Sequence, residues 1–319
     1  MTRFGFHASH EQVAPSALLH AVVHAERAGF AAAMCSDHLA PWSRAQGQSG
    51  HAWSWLGAAL ASTTLPFGVV TAPGQRYHPA VHAQAMATLA EMFPGRFWAA
   101  LGSGQALNEH VTGDRWPPKR VREARLAECV EVFRALFAGE TVSHDGLVRV
   151  DRARLWTRPA EPPPLLAAAV TPATARWAAG WADGLITVNQ PLEVLRQVVS
   201  AYRDAGGRGP CRLQVHVSWD RDHGTALRVA YEQWRTSILG SPVGWELALP
   251  EEFEEVGRFV RDDDLHPHVL VSADASQHVA WLRELADVGF DDVLVHHVGQ
   301  EQAEFLDVYG AEVLPLLGA

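Results

Sequence analysis

The chain lacks any apolar run approaching the roughly 18 residues that a membrane span requires, so no spanning helix is expected in its 319 residues. Cysteine is scarce: Cys35, Cys129 and Cys211 are far apart and odd in number. Such spacing fits neither a disulfide framework nor a zinc knuckle, and all three thiols are expected to behave as small core hydrophobes. Positive charge is also short. The formal net charge of −10 argues against a nucleic-acid partner, because phosphate binding needs clustered Lys and Arg. Met1-Thr2-Arg3-Phe4-Gly5-Phe6 goes straight into strand-like alternation without the basic start and long apolar stretch of a signal peptide. A soluble, cytoplasmic protein is expected. The 17 histidines include the close pairs His266/His268 and His296-His297, but no HExxH or HxH…Asp pattern accompanies them, so no metal is expected.

What is present is a 48% hydrophobic chain in which short β-branched runs alternate with longer helical patterns, the signature of βα units around a parallel sheet. The strands are expected at Arg3–His7, Ala31–Ser36, Pro66–Val70, Phe97–Leu101, Pro164–Ala168, Gly184–Val188, Leu213–Val217 and Asp292–His296. Several are nearly all apolar, as strands covered on both faces should be. Helices are expected at Pro15–Ala28, Pro79–Met92, Val121–Ala138, Leu192–Ala205 and Ala275–Val288, with Pro in the first turn or Gly just past the end as punctuation. Thr141–Trp156 reads as a hairpin turning at Asp145-Gly146. Residues 222–267 read as a mostly helical insertion before the last βα unit, ending in the solvated run Asp262-Asp263-Asp264. The expected fold is therefore one α/β domain over residues 1–319, a TIM (β/α)8 barrel, which typically takes about 250 residues.

A TIM barrel carries its active site at the C-terminal ends of its strands. There the sequence places Ser36-Asp37-His38 with Trp42, then Thr71 and Arg76-Tyr77-His78-Pro79, then Gly104-Gln105-Ala106-Leu107-Asn108-Glu109, then Ala169-Val170-Thr171-Pro172, and finally His296-His297. A histidine such as His38 suits proton transfer because its unperturbed pKa of about 6.5 lies near working pH. Trp53, Trp55, Trp116 and Trp219 read first as core aromatics, with Trp53 and Trp55 also placed to line a pocket.

These stretches, with His7-Ala8-Ser9-His10-Glu11-Gln12, Pro94-Gly95-Arg96-Phe97 and Ala182-Asp183-Gly184, resemble the luciferase-like superfamily of flavin and deazaflavin (coenzyme F420) oxidoreductases. The likeness is nearest to its glucose-6-phosphate and alcohol dehydrogenase branch, including a subgroup suspected of using ordinary flavin. The resemblance implies FMN or F420 as cofactor, a small-molecule substrate and a homodimer. Carried over by position, it makes His38, Asp37, Trp42, Gln105 and Glu109 catalytic candidates. Asp37, Val69, Val70, Thr71, Gln105, Asn108, Ala169, Val170, Thr171 and Arg176 become cofactor contacts, and Glu11, Trp42 and Trp53 substrate contacts. It also implies a strand bulge with a cis non-proline peptide within Gly68–Thr71, and a phosphate held where a helix begins at Thr171-Pro172.

Two departures bear on function. Gln105 stands where the dehydrogenases carry a glutamate, and an amide cannot exchange a proton at neutral pH. Gln190-Pro191 and His266-Pro267-His268 stand where the sugar-phosphate enzymes carry Lys and Arg, so glucose 6-phosphate is not the expected substrate. The expected activity is hydride transfer between the ring cofactor and a small organic substrate. FMN-dependent monooxygenation and a non-catalytic flavin-binding barrel are the alternatives, while a metal hydrolase barrel lacks its ligand pattern.

Overall fold

A computed structural model describes residues 2–240 and 242–318. Its strands are β1 (Arg3–Ala8), β2 (Ala32–Ser36), β3 (Phe67–Thr71), β4 (Phe97–Leu101), β5 (Val142–Asp145), β6 (Arg149–Ala153), β7 (Leu165–Ala168), β8 (Leu185–Val188), β9 (Cys211–Ser218), β10 (Leu270–Val271) and β11 (Asp292–His297). Strands β1, β2, β3, β4, β7, β8, β9 and β11 pair in parallel in that order, and β11 returns to β1. The result is a closed (β/α)8 barrel, as the alternation of elements predicts. Closure removes every sheet edge from this ring. The two-residue β10, not expected from the sequence, pairs only with Val217 and Ser218 at the end of β9.

The barrel interior is filled in layers because strand side chains alternate with period 2. On β9 the inward residues Arg212, Gln214 and His216 lie in register with Asp292, Leu294 and His296 of β11. At the bottom, Asp292 accepts from Arg3 Nε (2.6 Å) and Arg212 Nε (2.5 Å), and the Arg212 guanidinium sits 4.1 Å over the Trp98 ring centroid. The middle is apolar: Met34, Trp98, Ala100, Leu166, Ile186 and Leu294. Gly68 admits the Trp98 ring, whose atoms would lie 2.0 Å from a Cβ there. The top layer is polar, with His7, His216 and His296 buried together. A larger apolar shell joins the outer strand faces to the helices, each helix turning one stripe inward.

Several helices depart from expectation at their ends, forming Lys119–Ala138, Leu192–Asp204 and Ala275–Ala286. Others carry no clear sequence signal. Ala52–Ser62 starts where the His51 side chain accepts from Ser54 N, and Ala303–Val308 begins a C-terminal helical segment. The hairpin is present, but its turn is Gly146-Leu147-Val148 rather than Asp145-Gly146. Glu128 of the neighbouring helix accepts from Val148 N (3.1 Å) and lies against His144 Nε2 (2.9 Å), which holds the longer turn. The insertion forms the helices His223–Trp234, Val243–Glu246 and Pro250–Gly257, and Asp262–Asp264 is an exposed 3-10 turn. The cis non-proline peptide expected within Gly68–Thr71 is not formed; among the described residues the cis peptide is His266–Pro267. Cys35, Cys129 and Cys211 are buried and unpaired. Among the described residues no helix is long and apolar enough to cross a membrane.

Burial lowers the pKa of His7, His10, His82 and His278 to about 4, and of His216 and His297 to about 3. These groups bind protons in the unfolded chain but not in the folded one once pH falls below about 6.5. Stability should therefore be full above that value and fall as pH drops toward 4. Each such histidine adds a slope of about 1.4 kcal/mol per pH unit. Urea unfolding at pH 7.5, 6 and 5 checks this, and a flat midpoint across the series would contradict it.

Candidate active site

The C-terminal ends of the barrel strands open into a cavity of about 340 Å3, within the range of small-molecule sites. The strand-end loops form its floor and one side. The insertion supplies the opposite wall through Trp234, Leu239, Pro242 and Trp245.

Glu11, on the loop after β1, is 2% exposed, and its Oε1 lies 2.5 Å from His38 Nδ1 on the loop after β2. Its other oxygen accepts from Ser9 Oγ (2.8 Å). Burial alone would raise this carboxyl, but the charge and contact of His38, with help from His7 and Ser9, hold it at about 2. Glu11 is thus an anion fixed against His38. Trp42 packs edge-on against His38 at 5.4 Å between ring centroids, and against Phe253 of the insertion at 5.2 Å. His38 and Trp42 both line the cavity.

Asp37 lies next to His38 in sequence but faces the other way. Its carboxylate is fully buried and accepts from Thr71 Oγ1 (2.8 Å), Tyr77 OH (3.0 Å) and Trp53 Nε1 (3.1 Å), with Arg76 Nη2 at 3.3 Å. Burial and the Asp37 charge push the Tyr77 phenol up, keeping it a donor. Arg76 also donates to the Asp37 carbonyl (2.7 Å) and places Nε 3.6 Å from Glu109, whose carboxylate accepts from Arg76 N (2.8 Å). Burial raises the Glu109 pKa; the Arg76 charge and backbone N–H oppose that rise. Gln105 precedes the short helix Ala106–Glu109 and its side-chain oxygen accepts from Asn108 Nδ2 (3.3 Å), while Asn108 accepts from Leu39 N (2.8 Å), joining this loop to the His38 loop.

On the far side, Thr171 caps the helix Pro172–Ala178. Its hydroxyl accepts from Thr174 N and donates to Thr174 Oγ1, so its proton is already engaged. Lys119, the one lysine in the chain, reaches Thr174 Oγ1 at 3.3 Å and lines the cavity.

The structure therefore brings Glu11, Asp37, His38, Trp42, Val70, Thr71, Gln105, Asn108, Glu109, Ala169, Val170 and Thr171 to one cavity. Three expected contacts lie elsewhere. Val69 faces outward into the core because strand side chains alternate. Trp53 stands behind Asp37 as its donor, and Arg176 points to solvent on the outer face of its helix. Gln190 donates to the Val170 carbonyl, and His266-Pro267-His268 is tethered by Asn189 donating to two of its carbonyls. Sequence reading missed the roles of Arg76, Lys119, His7 and His216. The visible signal for His216 was a polar residue at alternating positions on an otherwise apolar strand.

A closed α/β barrel with a histidine–carboxylate pair at its mouth, beside a cavity of ligand size, has the form of an enzyme site for a small molecule. The family described as luciferase-like monooxygenase matches residues 1–292, and the chain belongs to it. The F420-dependent glucose-6-phosphate dehydrogenase of Nakamurella multipartita is 36% identical over 330 residues, covering 99% of this chain and 97% of the relative. The enzyme of that name from Beutenbergia cavernae is 37% identical over 332 residues, covering 100% and 98%. A solved F420-dependent secondary alcohol dehydrogenase, in complex with an F420–acetone adduct, superposes with a TM-score of 0.91 at 28% identity and covers 99% of both chains. A monooxygenase from Streptomyces bottropensis shares the fold, with a TM-score of 0.75 at 20% identity over 98% of this chain and 99% of its own. The chain is an oxidoreductase of this luciferase-like family.

Replacing Arg76 with Met would leave two buried carboxylates without their shared cation. The expected loss is about 3–5 kcal/mol of folding free energy, measured by urea denaturation. Arg76→Lys should recover little, since one ammonium cannot bridge both groups as the guanidinium does. A loss under 1 kcal/mol would contradict the bridging role.

Proposed function

We propose that the protein is an F420-dependent dehydrogenase or reductase that interconverts a neutral alcohol and its carbonyl compound. The observation that carries this reading is the Glu11–His38 pair at 2.5 Å on the cavity wall. With Nδ1 held by Glu11, Nε2 is the nitrogen available to a substrate hydroxyl. His38 takes the hydroxyl proton as the carbon gives up hydride, and the fixed Glu11 carboxylate stabilises the imidazolium that forms. The bound deazaflavin would supply the hydride acceptor.

The residues fit such a cofactor. Gly102, Ala168, Ala169 and Ala72 form a small-side-chain bed for a flat ring, and Gln105 and Asn108 stand along it with amide groups. Lys119 and Thr174 offer a cation and a hydroxyl beside the Ala169–Thr171 loop, suited to an anionic tail. Glu109, whose pKa burial raises against the opposing Arg76 charge, lines the same cavity and is the group that could exchange a ring proton where Gln105 cannot.

The substrate is proposed to be uncharged. Lys119 reaches Thr174 beside the loop proposed for the cofactor tail, and Arg122 is engaged by Glu246 at 2.9 Å. The β8–β9 side offers the neutral groups Gln214 and His216. A phosphate there would lack a guanidinium or ammonium partner. Gln105 favours a second reading, FMN-dependent monooxygenation, because its amide suits a ring nitrogen that needs only a hydrogen bond. In either case residues 1–319 are taken as one cytoplasmic domain working as a homodimer.

Fluorescence titration with F420 and with FMN separates the two cofactor readings. F420 should bind the more tightly, and Lys119→Ala should weaken it, more at low salt than at high. His38→Ala should leave F420 affinity intact while lowering kcat about 10²–10⁴-fold on secondary alcohols. Preference for FMN, or full activity in His38→Ala, would overturn the proposal.

A further inference from the structure

Within the polar layer at the top of the barrel, one hydrogen-bond chain fixes a tautomer. Gln12 Nε2 donates to the Val298 carbonyl and to Gln233 Oε1 (3.3 Å). A flipped amide would set Gln12 Oε1 against that carbonyl oxygen, so Oε1 is held toward His296 Nε2 at 2.7 Å. Gln233 is fixed in turn, its own amide nitrogen donating to the Ala45 carbonyl (3.1 Å).

An amide oxygen only accepts, so His296 Nε2 carries the proton. His296 is 1% exposed, and burial among His7, His216 and His297 keeps it neutral. Its Nδ1 is therefore a bare acceptor. His216 Nδ1 lies 2.9 Å from it and must donate. Burial, with the nearby His7 and His268, lowers the His216 pKa to about 3 against a small opposing effect of Glu11, so this ring is neutral too. A neutral imidazole protonated on Nδ1 has a lone pair on Nε2. His216 lines the cavity, and among the described residues no group hydrogen-bonds its Nε2. Trp234 packs at 4.5 Å on the same ring and holds its orientation.

We propose that His216 Nε2 is a substrate-binding acceptor that selects molecules carrying a second hydroxyl or amino donor besides the reacting carbinol. The preferred substrate class is then a neutral diol or hydroxyketone. This rests on the dehydrogenase reading above. A bare imidazole acceptor in a confined cavity costs free energy when it faces a group that cannot donate. The hydroxyl-bearing substrate is favoured over an analogue in which that hydroxyl is methylated.

Two measurements test this on the full chain loaded with F420. In protein with isotope-labelled imidazole nitrogens, NMR at neutral pH should show His216 with an unprotonated Nε2. Propylene glycol should shift that resonance, and its primary methyl ether should not. In kinetics, the wild type should prefer propylene glycol to the ether by about tenfold or more in kcat/KM. His216→Leu should lose that preference, and His216→Gln, which keeps an acceptor, should recover part of it. An Nε2–H tautomer, equal shifts by diol and ether, or an unchanged preference in His216→Leu overturns the inference. The NMR result decides it even if His216→Leu fails to fold. If the resonance responds to the diol but no alcohol reduces F420, the acceptor site stands and the dehydrogenase reading falls.

Discussion

The site depends on Arg76. One guanidinium meets the buried carboxylates of Asp37 and Glu109 and the carbonyl of Asp37, linking the loops that follow β2, β3 and β4. Two carboxylates so deeply buried would repel each other and resist ionisation without a shared cation. Once Arg76 is in place, Asp37 collects Thr71, Tyr77 and Trp53 around it. The backbone of the His38 loop is thereby fixed from behind. Arg76 is a frame for the chemistry rather than a part of it.

That frame changes the meaning of the Asp37-His38 pair. Adjacent residues leaving a strand turn to opposite sides, so Asp37 goes into the frame and His38 into the cavity. The carboxylate that meets His38 comes instead from Glu11, on a different loop. Two buried acids thus take two roles through their surroundings. Glu11 faces an imidazole and remains an anion at about 2, while burial carries Glu109 the other way. Pairs of groups pushed apart in this manner are how one site handles both ends of a proton transfer.

The histidine layer beneath the cavity shows the same economy. His7, His216 and His296 lie together where the apolar interior of the barrel ends, and the protons of His296 and His216 are set by one glutamine whose own orientation is locked by a backbone carbonyl. The insertion completes the enclosure. Its Phe253 supports Trp42, and its Trp234 packs on both His216 and His296. A segment that interrupts the βα rhythm is thus part of the site wall.

The barrel itself was legible in the sequence because the alternation of apolar runs with helical periods is a local signal, and closure follows from eight such units. The strand-end cluster was legible for the same reason: position after a barrel strand places a residue at the mouth whatever its distant partners are. Helix ends and the hairpin turn were less so. The turn at Gly146–Val148 is set by Glu128 from another element, which no local pattern contains. Nor could spacing reveal that Glu11 and His38, 27 positions apart, meet at 2.5 Å, or that Asp37 turns away toward Arg76. Arg176 was expected at a phosphate, yet helix phase turns it to solvent. The sequence by itself determined the layered barrel and which loops carry the chemistry, because those follow from periodicity. Tertiary structure alone decided which acid meets which base and which nitrogen keeps its proton, because those depend on contacts between distant segments and on burial.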